Sequence, residues 1–140
     1  MRRFLILFSS AIAALLLLAL ALPTGELVQL HTVDGRGRDH ASTLWVVEID
    51  GALRLRSGNP ESEWLERLRD HPVVTLERDG HTRAYRAEVA SDALEREAVN
   101  EAMARKYGFA DRLLRRWVDM AGSVPVRLDP LESRDAATDG

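Results

Sequence analysis

The 140-residue chain contains no cysteine, and this absence removes several kinds of chemistry at once. The chain can form no disulfide, offers no thiolate to a metal ion and has no cysteine nucleophile. A lack of disulfides is compatible with an oxidising compartment but gives no support for one. The one domain of about 115 residues that follows the N-terminal segment can bury a modest core, which dimerisation would enlarge.

The motifs of several common enzyme classes are absent as well. The sequence has no Walker A loop, no G-x-G-x-x-G fingerprint, no nucleophile elbow around a serine and no H-E-x-x-H motif. The four histidines, at positions 31, 40, 71 and 81, are not spaced like metal ligands. We therefore expect no kinase, no hydrolase, no dinucleotide-binding Rossmann domain and no metal site.

Lysine is nearly absent, and the overall charge is acidic. Lys106 is the only lysine, so arginine supplies almost all of the positive charge. Either genome composition or selection for bidentate anion binding could produce this preference. The formal net charge is −3, and it becomes −5 when Arg2 and Arg3 are set aside. Because nucleic-acid-binding domains usually carry a basic surface, we expect no nucleic-acid partner.

The longest apolar run lies at the N-terminus. Arg2 and Arg3 precede an uncharged stretch over residues 4–22, which is long enough to span a membrane and long for a signal peptide. Arginines before such a run predict that the rest of the chain is translocated. The Ala-Leu-Ala at 19–21 leaves open that residues 1–22 are a cleaved signal peptide. A buried core helix is a further alternative, but it would need neighbours on every face. We expect a membrane anchor with the domain on the extracytoplasmic side, or an exported domain if the signal is cleaved.

Strand patterns dominate residues 26–89. Asp50-Gly51 and Asp79-Gly80 each lie between runs of strand-forming residues, and Asp-Gly is typical of type I′ hairpin turns. Between the two turns, Pro60 to Asp70 changes to helical spacing, and Asn59 suits the N-cap. The sequence therefore predicts antiparallel strands interrupted by one short helix.

Helical patterns and a last strand follow. The Asp92–Glu95 pair resembles a capping box, and it opens an apolar helical face that ends at Gly108. A second amphipathic run covers residues 109–117. Residues 124–128 then predict a strand at a sheet edge, where its proline is tolerated. From Glu132 on the sequence is polar and has no large apolar residue, so residues 131–140 are predicted to be a disordered tail.

Arginines in two places are candidates for anion binding. The turn from Asp34 to His40 carries Arg36 and Arg38, together with two glycines whose backbone can approach an anion closely. The alternative is an ordinary solvated hairpin loop. In the third strand, alternation places Arg54 and Arg56 on the face opposite two leucines. That face either lines an anionic groove or is the solvent-exposed face of the sheet.

We further predict that Arg36, Arg38 and Arg56 converge on one groove at the end of a curled antiparallel sheet. Three guanidinium groups so close together would repel one another unless an anion lay between them. That anion could be a ligand phosphate, or it could be a carboxylate of the chain itself, such as Asp34.

The order of elements and several local segments resemble the flavin-binding split β-barrel superfamily, and within it the small deazaflavin-dependent nitroreductase group. The segments are His31-Thr32-Val33, Gly35-Arg36-Gly37-Arg38, Leu44-Trp45-Val46-Val47, and the helix and strand positions Trp64, Leu68, Pro72 and Val74. The resemblance covers residues 27–130. Two departures stand out: the Gly-Arg turn is shorter than in the family, and Leu65 and Arg67 occupy positions where the family often has Tyr and Asn.

The resemblance implies an α+β fold, with a split antiparallel β-barrel and flanking helices over residues 26–130 behind the N-terminal membrane helix. It implies a flavin- or deazaflavin-dependent oxidoreductase that uses FMN or a deazaflavin coenzyme, acts on a small-molecule substrate and forms a homodimer. The residues implied to bind the coenzyme are Arg36, Arg38, Ser42, Trp45, Arg56, Ser57 and Trp64, and those implied to face substrate are Tyr107 and Trp117. By its helical spacing alone, Trp64 is better explained as a core residue.

Two further functions stay open at this point. The first is a non-catalytic binding or scaffold module of the same fold that has lost its cofactor site, which the short turn favours. The second is a structural dimerisation domain that needs no ligand.

Overall fold

The computed structural model describes residues 25–132, and its six strands form a closed antiparallel barrel. The strands are β1 (Leu27–Val33), β2 (Asp39–Ile49), β3 (Ala52–Ser57), β4 (Val73–Arg78), β5 (His81–Val89) and β6 (Val124–Pro130). They follow one another around the barrel as β1-β2-β3-β6-β5-β4, and pairing of β4 with β1 closes it. The predicted antiparallel barrel with flanking helices is confirmed. The predictions for residues 1–22 and for most of the tail lie outside the described residues.

Both Asp-Gly turns form the hairpins that the sequence predicts. Asp50 and Gly51 have φ angles of 51° and 76°, and Asp79 and Gly80 have φ angles of 51° and 75°. Positive φ at both central residues is what a type I′ turn requires, and its twist matches that of the flanking strands. The strands on either side pair antiparallel across each two-residue loop.

The short helix α1 (Glu63–Asp70) begins three residues later than predicted, and Asn59 is not its N-cap. The Asn59 side chain accepts a hydrogen bond from the Glu61 N–H (2.9 Å), and its carbonyl accepts one from the Ser62 N–H (3.2 Å). These bonds build a turn ahead of the helix, so Ser62 occupies the N-cap position. The apolar face of α1 enters the barrel core, where Trp64 is buried as its spacing predicts.

Two α-helices, α2 (Ala93–Tyr107) and α3 (Phe109–Leu114), and a 3₁₀ helix (Met120–Gly122) connect β5 to β6. The side chain of Asp92 caps α2 by accepting a hydrogen bond from the Leu94 N–H (2.9 Å). The predicted capping box is only half formed, because Glu95 pairs with the buried Arg54 instead of with the helix terminus. Gly108 ends α2 with a φ of 52°, as predicted.

The prediction of an edge position for the last strand is wrong. β6 lies between β3 and β5, and the closed barrel leaves it no free edge. Pro125 is the second residue of β6, close to the start of the strand, where a missing N–H is tolerated. Its carbonyl still accepts a hydrogen bond from the Ala90 N–H (3.0 Å).

The barrel has one core inside it and another outside it. The inner core includes Leu53 and Leu55, and the predicted alternation along β3 is confirmed. The outer core lies between β2 and α2 and comprises Val47, Val99, Ala102, Met103 and Tyr107. The β3 arginine face is covered rather than exposed to solvent, because Arg54 and Arg56 pair with acidic residues of α2 and α3. Within residues 25–132, no helix combines the length and the apolar character needed to cross a bilayer.

Candidate functional site

A shallow groove of about 240 Å³ opens where the barrel wall meets α3. It is lined by Leu27, Thr43, Leu44, Trp45, Arg56, Gly58 and Leu114. The lining combines an aromatic ring, aliphatic side chains and one cation. Ligand grooves in proteins have this character, with a mostly apolar wall and a few polar groups that fix orientation.

Trp45 is held in place from behind by Tyr107. The two rings stack with their centroids 4.3 Å apart and their planes 9° from parallel. The Tyr107 hydroxyl accepts a hydrogen bond from the Val46 N–H (3.0 Å) and donates one to the Glu26 carbonyl (2.7 Å). Tyr107, which the resemblance implies to face substrate, is therefore buried behind Trp45 and bonded to backbone.

Arg56 lies at the polar side of the groove and belongs to a buried charge cluster. One of its Nη atoms donates to Asp111 Oδ1 (2.7 Å) and the other donates to Asn100 Oδ1 (3.2 Å). Arg115 Nε donates to the second Asp111 oxygen (2.6 Å). One carboxylate thus serves two guanidinium groups, which leaves the cluster with a net positive charge. The guanidinium carbon of Arg56 also lies 6.0 Å from the centre of the Trp45 ring.

The Gly-Arg turn binds a carboxylate of its own. Asp34 Oδ1 accepts hydrogen bonds from the backbone N–H groups of Arg36 (2.8 Å) and Arg38 (3.0 Å). Asp34 Oδ2 lies 2.9 Å from both Arg38 Nε and His40 Nε2. The hydrogen bonds from His40 and from the turn amides hold the pKa of Asp34 well below its usual range. The anion position in this turn is therefore filled by Asp34.

The predicted convergence of Arg36, Arg38 and Arg56 does not occur. Arg56 lies beside Trp45, whereas the Gly-Arg turn lies before the first residue of β2. Six or more residues of extended strand separate the two places, which corresponds to roughly 20 Å. The sequence could not reveal this distance, because it depends on how far β2 runs before it meets β3.

The remaining predicted residues are scattered. Ser57 is buried, and its hydroxyl donates to the Asn59 carbonyl (2.5 Å) and contacts the Ser62 hydroxyl. Ser42 is half-buried on β2 opposite Leu30. Trp64 is in the barrel core, and Trp117 is 85% exposed. Of the predicted coenzyme residues, the structure brings together Trp45 and Arg56.

Asp111 is the residue that the sequence analysis missed. It is fully buried and organises the charge cluster, although it lies in a run that reads as an amphipathic helix. An Asp–Arg pair at i, i+4 was visible in the sequence, but such pairs are usually on the surface and contribute little. Within residues 25–132, no group of histidine, aspartate and glutamate side chains is arranged to hold a metal ion.

Comparison with known proteins identifies the fold of the chain but no family. No family model matches the chain, and no curated protein sequence matches it. Solved structures that share its fold include a FAD-binding protein from Mesorhizobium loti, with a TM-score of 0.58, 17% identity and coverage of 81% of this chain and 87% of that one. An F420 reductase matches with a TM-score of 0.53, 15% identity and coverage of 79% and 90%. The heme storage protein HutZ from Vibrio cholerae matches with a TM-score of 0.60, 19% identity and coverage of 77% and 83%.

These neighbours carry the six-stranded antiparallel split barrel that the sequence resemblance implies, and that prediction is confirmed. At identities below a fifth, the likeness concerns the fold. The names of these neighbours refer to FAD, to F420 and to heme, so the shared fold does not by itself identify a ligand.

Proposed function

We propose that this chain is an oxidoreductase-type split barrel that binds the ring of a flavin or deazaflavin coenzyme in the Trp45 groove. The barrel would be held at a membrane by the apolar N-terminal segment, on the extracytoplasmic side. A homodimer and a small-molecule substrate belong to the same proposal. The observation that supports it most directly is the Trp45 ring, which lines an apolar groove and is supported by Tyr107.

The groove fits the ring of such a coenzyme better than it fits the phosphate. Trp45, Leu27, Leu44 and Leu114 would contact the two faces and the edge of a planar ring. The phosphate ligands implied by the resemblance do not assemble: Arg38 pairs with Asp34, and Ser57 is bonded to its neighbours. We therefore propose a ring site without assigning a phosphate site.

Within that site the chain itself supplies position, charge and exclusion of water. Asp111 and Asn100 take two of the five N–H groups of Arg56, and a ring bound beside Trp45 would meet the side of the guanidinium that lines the groove. The net positive charge of the cluster favours an anionic form of the ligand. When bound, a coenzyme of this class supplies hydride transfer, and no side chain of the groove need act as an acid or a base.

A non-catalytic binding or scaffold module is the second candidate, and one observation favours it. Both regions that were expected to hold a phosphate already contain a carboxylate of the chain, Asp34 in the turn and Asp111 beside Arg56. Arginines that already pair with carboxylates of the chain bind an anionic ligand more weakly than unpaired arginines would. Binding measurements decide between the two candidates.

The experiment is a titration of the purified chain with FMN and with a deazaflavin coenzyme, followed by coenzyme fluorescence. Trp45→Leu removes the ring wall, and Trp117→Leu makes the same change at an exposed position outside the groove. Because stacking on an aromatic side chain contributes about 1–3 kcal/mol, Trp45→Leu should weaken binding by roughly fivefold to a hundredfold. Trp117→Leu should bind as the natural chain does.

Failure of the natural chain to bind either coenzyme would favour the scaffold module. Arg56 is a poor probe here, since its removal leaves Asp111 buried without one of its partners and perturbs the fold. The membrane part of the proposal has its own test. A reporter fused after Gly140 that is active only when translocated should be active. An inactive fusion, together with activity of a second reporter that works only in the cytoplasm, would overturn the orientation.

A further inference from the structure

One side of α3 and of the turn after it is both apolar and uncovered. Phe109 is 59% exposed, Leu113 is 50% exposed and Trp117 is 85% exposed. They are four residues apart, so they fall on one side of a helix. Although α3 ends at Leu114, the helical turn continues, since the N–H groups of Trp117 and Val118 both bond to the Leu114 carbonyl (3.0 Å). We call these three side chains the α3 face.

The α3 face is flanked by positive charge. Between Arg105 and Trp117 the sequence has five basic residues and one acidic residue, in a chain whose net charge is −3. The single acid, Asp111, is buried. Arg112 and Arg116 are exposed, and neither has an ion-pair partner among residues 25–132. Aromatic and aliphatic side chains beside exposed arginines are typical of segments that lie on a membrane surface.

The start of the barrel is fixed close to the α3 face. The Tyr107 hydroxyl donates to the Glu26 carbonyl, and Lys106 Nζ donates to a Glu26 carboxylate oxygen (2.6 Å). Gly25 packs so closely on the Tyr107 ring that a Cβ there would lie 2.4 Å from it. Phe109 follows two residues after Tyr107. The α3 face therefore begins beside the point where the N-terminal segment joins the barrel.

That junction limits how far the barrel can stand from the proposed anchor. The apolar run ends at Leu22, three residues before Gly25, and three residues of extended chain reach at most about 11 Å. If the run is in a bilayer, its interface is within that distance of Gly25. A half-exposed groove residue, Leu27, lies on the same side of the molecule and shares the groove with Leu114 of α3.

From this placement we propose that the α3 face docks onto the bilayer that holds the N-terminal segment, with Phe109, Leu113 and Trp117 among the acyl chains and Arg112 and Arg116 on anionic headgroups. This inference rests on the membrane anchoring in the proposed function and adds a second contact to it. The occupant is the lipid surface rather than a second copy of the chain, because Arg112 and Arg116, the exposed charges between Phe109 and Trp117 that have no ion-pair partner among residues 25–132, are both positive. Two copies of such a face would repel each other.

The test uses the full chain, reconstituted in vesicles of phosphatidylcholine and phosphatidylglycerol. Because the chain has no cysteine, a single cysteine carries a fluorophore without competing sites. The labelled variants are Leu113→Cys and Trp117→Cys, and the control is Arg36→Cys, at an exposed position of the turn between β1 and β2, at the far end of β1 from Gly25. Lipids with a nitroxide on the acyl chain quench a label only when it enters the bilayer.

We expect strong quenching at positions 113 and 117 and little at position 36. An arginine near an anionic surface contributes about 1 kcal/mol, so Arg112→Gln with Arg116→Gln should shift the docking equilibrium by roughly thirtyfold. The control is Arg83→Gln. Arg83 is exposed on β5 and lies over the Tyr85 ring, so its replacement should leave the quenching at positions 113 and 117 unchanged.

Three outcomes would overturn the proposal, and they are distinguishable. If the chain floats with the vesicles but the labels at 113 and 117 are not quenched, the anchor stands and the docking of α3 is wrong. If the chain does not float with the vesicles, the anchor itself is wrong and docking falls with it. Protection of both labels in detergent without lipid, together with cross-linked dimers, would assign the face to a second copy.

Discussion

Arg56 and Asp111 join the barrel to its helices through a buried ion pair. Arg56 Nη2 on β3 donates to Asp111 Oδ1 on α3 at 2.7 Å, and the two side chains are 4% and 0% exposed. Arg115 and Asn100 complete the surroundings of the pair, so both charges are compensated. Arg56, which lines the candidate groove, thus depends on Asp111 of α3 for its position.

We predict that Asp111→Ala lowers the free energy of unfolding by about 3–5 kcal/mol, because removal of one partner of a buried pair leaves the other charge uncompensated. Chemical denaturation of the chain in mild detergent measures this. The matched control is Asp129→Ala, whose partner Arg127 is half-exposed like Asp129 itself, and it should change stability little. Equal losses in the two variants would contradict the structural role of the Arg56–Asp111 pair.

The sequence predicted the local elements better than the contacts between them. The Asp50-Gly51 turn was predictable because positive φ is a property of the two residues in the turn. The partner of Arg56 was not, because Asp111 is 55 residues away and its burial depends on how α3 packs on the barrel. A local competitor caused the error at α1: Asn59 uses its side chain to close a turn, and Ser62 takes the N-cap position.

The candidate site was predictable in its residue types and not in its assembly. Trp45 and Arg56 were both identified, the first through the resemblance and the second also through strand alternation. Their separation from Arg36 and Arg38 depends on the length of β2, which is 11 residues. Periodicity reports which face a side chain occupies, but it does not say how far along the barrel it lies.

Gly25 should be the least replaceable glycine near the groove. Its φ is +69°, and a Cβ would lie 2.4 Å from the Tyr107 ring. We predict that Gly25→Ala destabilises the fold by about 2–4 kcal/mol through backbone strain and overpacking. Gly37 has a similar φ of +75°, but an added Cβ there would meet open space. Gly37→Ala should therefore lower the free energy of unfolding by only about 1–2 kcal/mol. Thermal unfolding followed by circular dichroism compares the two, and equal effects would argue against the Gly25–Tyr107 contact.

His31 should titrate at a higher pH than an ordinary histidine. The hydrogen bond with Asp39 (2.8 Å between Nδ1 and Oδ2) raises the pKa of His31 above 6.5, against a smaller opposing effect of burial. A raised pKa in the folded state stabilises the fold below about pH 6.5, and this contribution is lost as the pH rises through the folded pKa.

We predict that Asp39→Asn lowers the pKa of His31 toward its usual value, as measured by NMR titration of the ring resonances. Asp129→Asn, which makes the same change at an exposed site of β6, should leave the titration of His31 where it is. An unchanged pKa in the Asp39 variant would mean that the His31–Asp39 bond does not persist in solution.

Glu26 should control the acid sensitivity of the junction between the N-terminal segment and the barrel. Hydrogen bonds from Arg78 (2.8 and 3.1 Å) and then from Lys106, opposed by desolvation, lower the pKa of Glu26 from 4.5 to about 2. A depressed pKa in the folded state gives stability that is complete above about pH 4.5 and is lost as the pH falls toward 2.

The variant Glu26→Gln should therefore lose about 2 kcal/mol of stability at neutral pH, the value of hydrogen bonds to a charged group. Its stability should also fall less steeply than that of the natural chain below about pH 4.5. Glu61→Gln, at an exposed position of the turn before α1, should keep both the neutral stability and the acid slope of the natural chain.

Because Glu26 joins Lys106 of α2 to Arg78 of β4, its loss should also loosen the support of Tyr107 behind Trp45. Weaker coenzyme binding by Glu26→Gln, with Trp45 intact, would connect this acid-sensitive junction to the candidate groove, whereas an acid slope equal to that of the natural chain would exclude Glu26 as its cause.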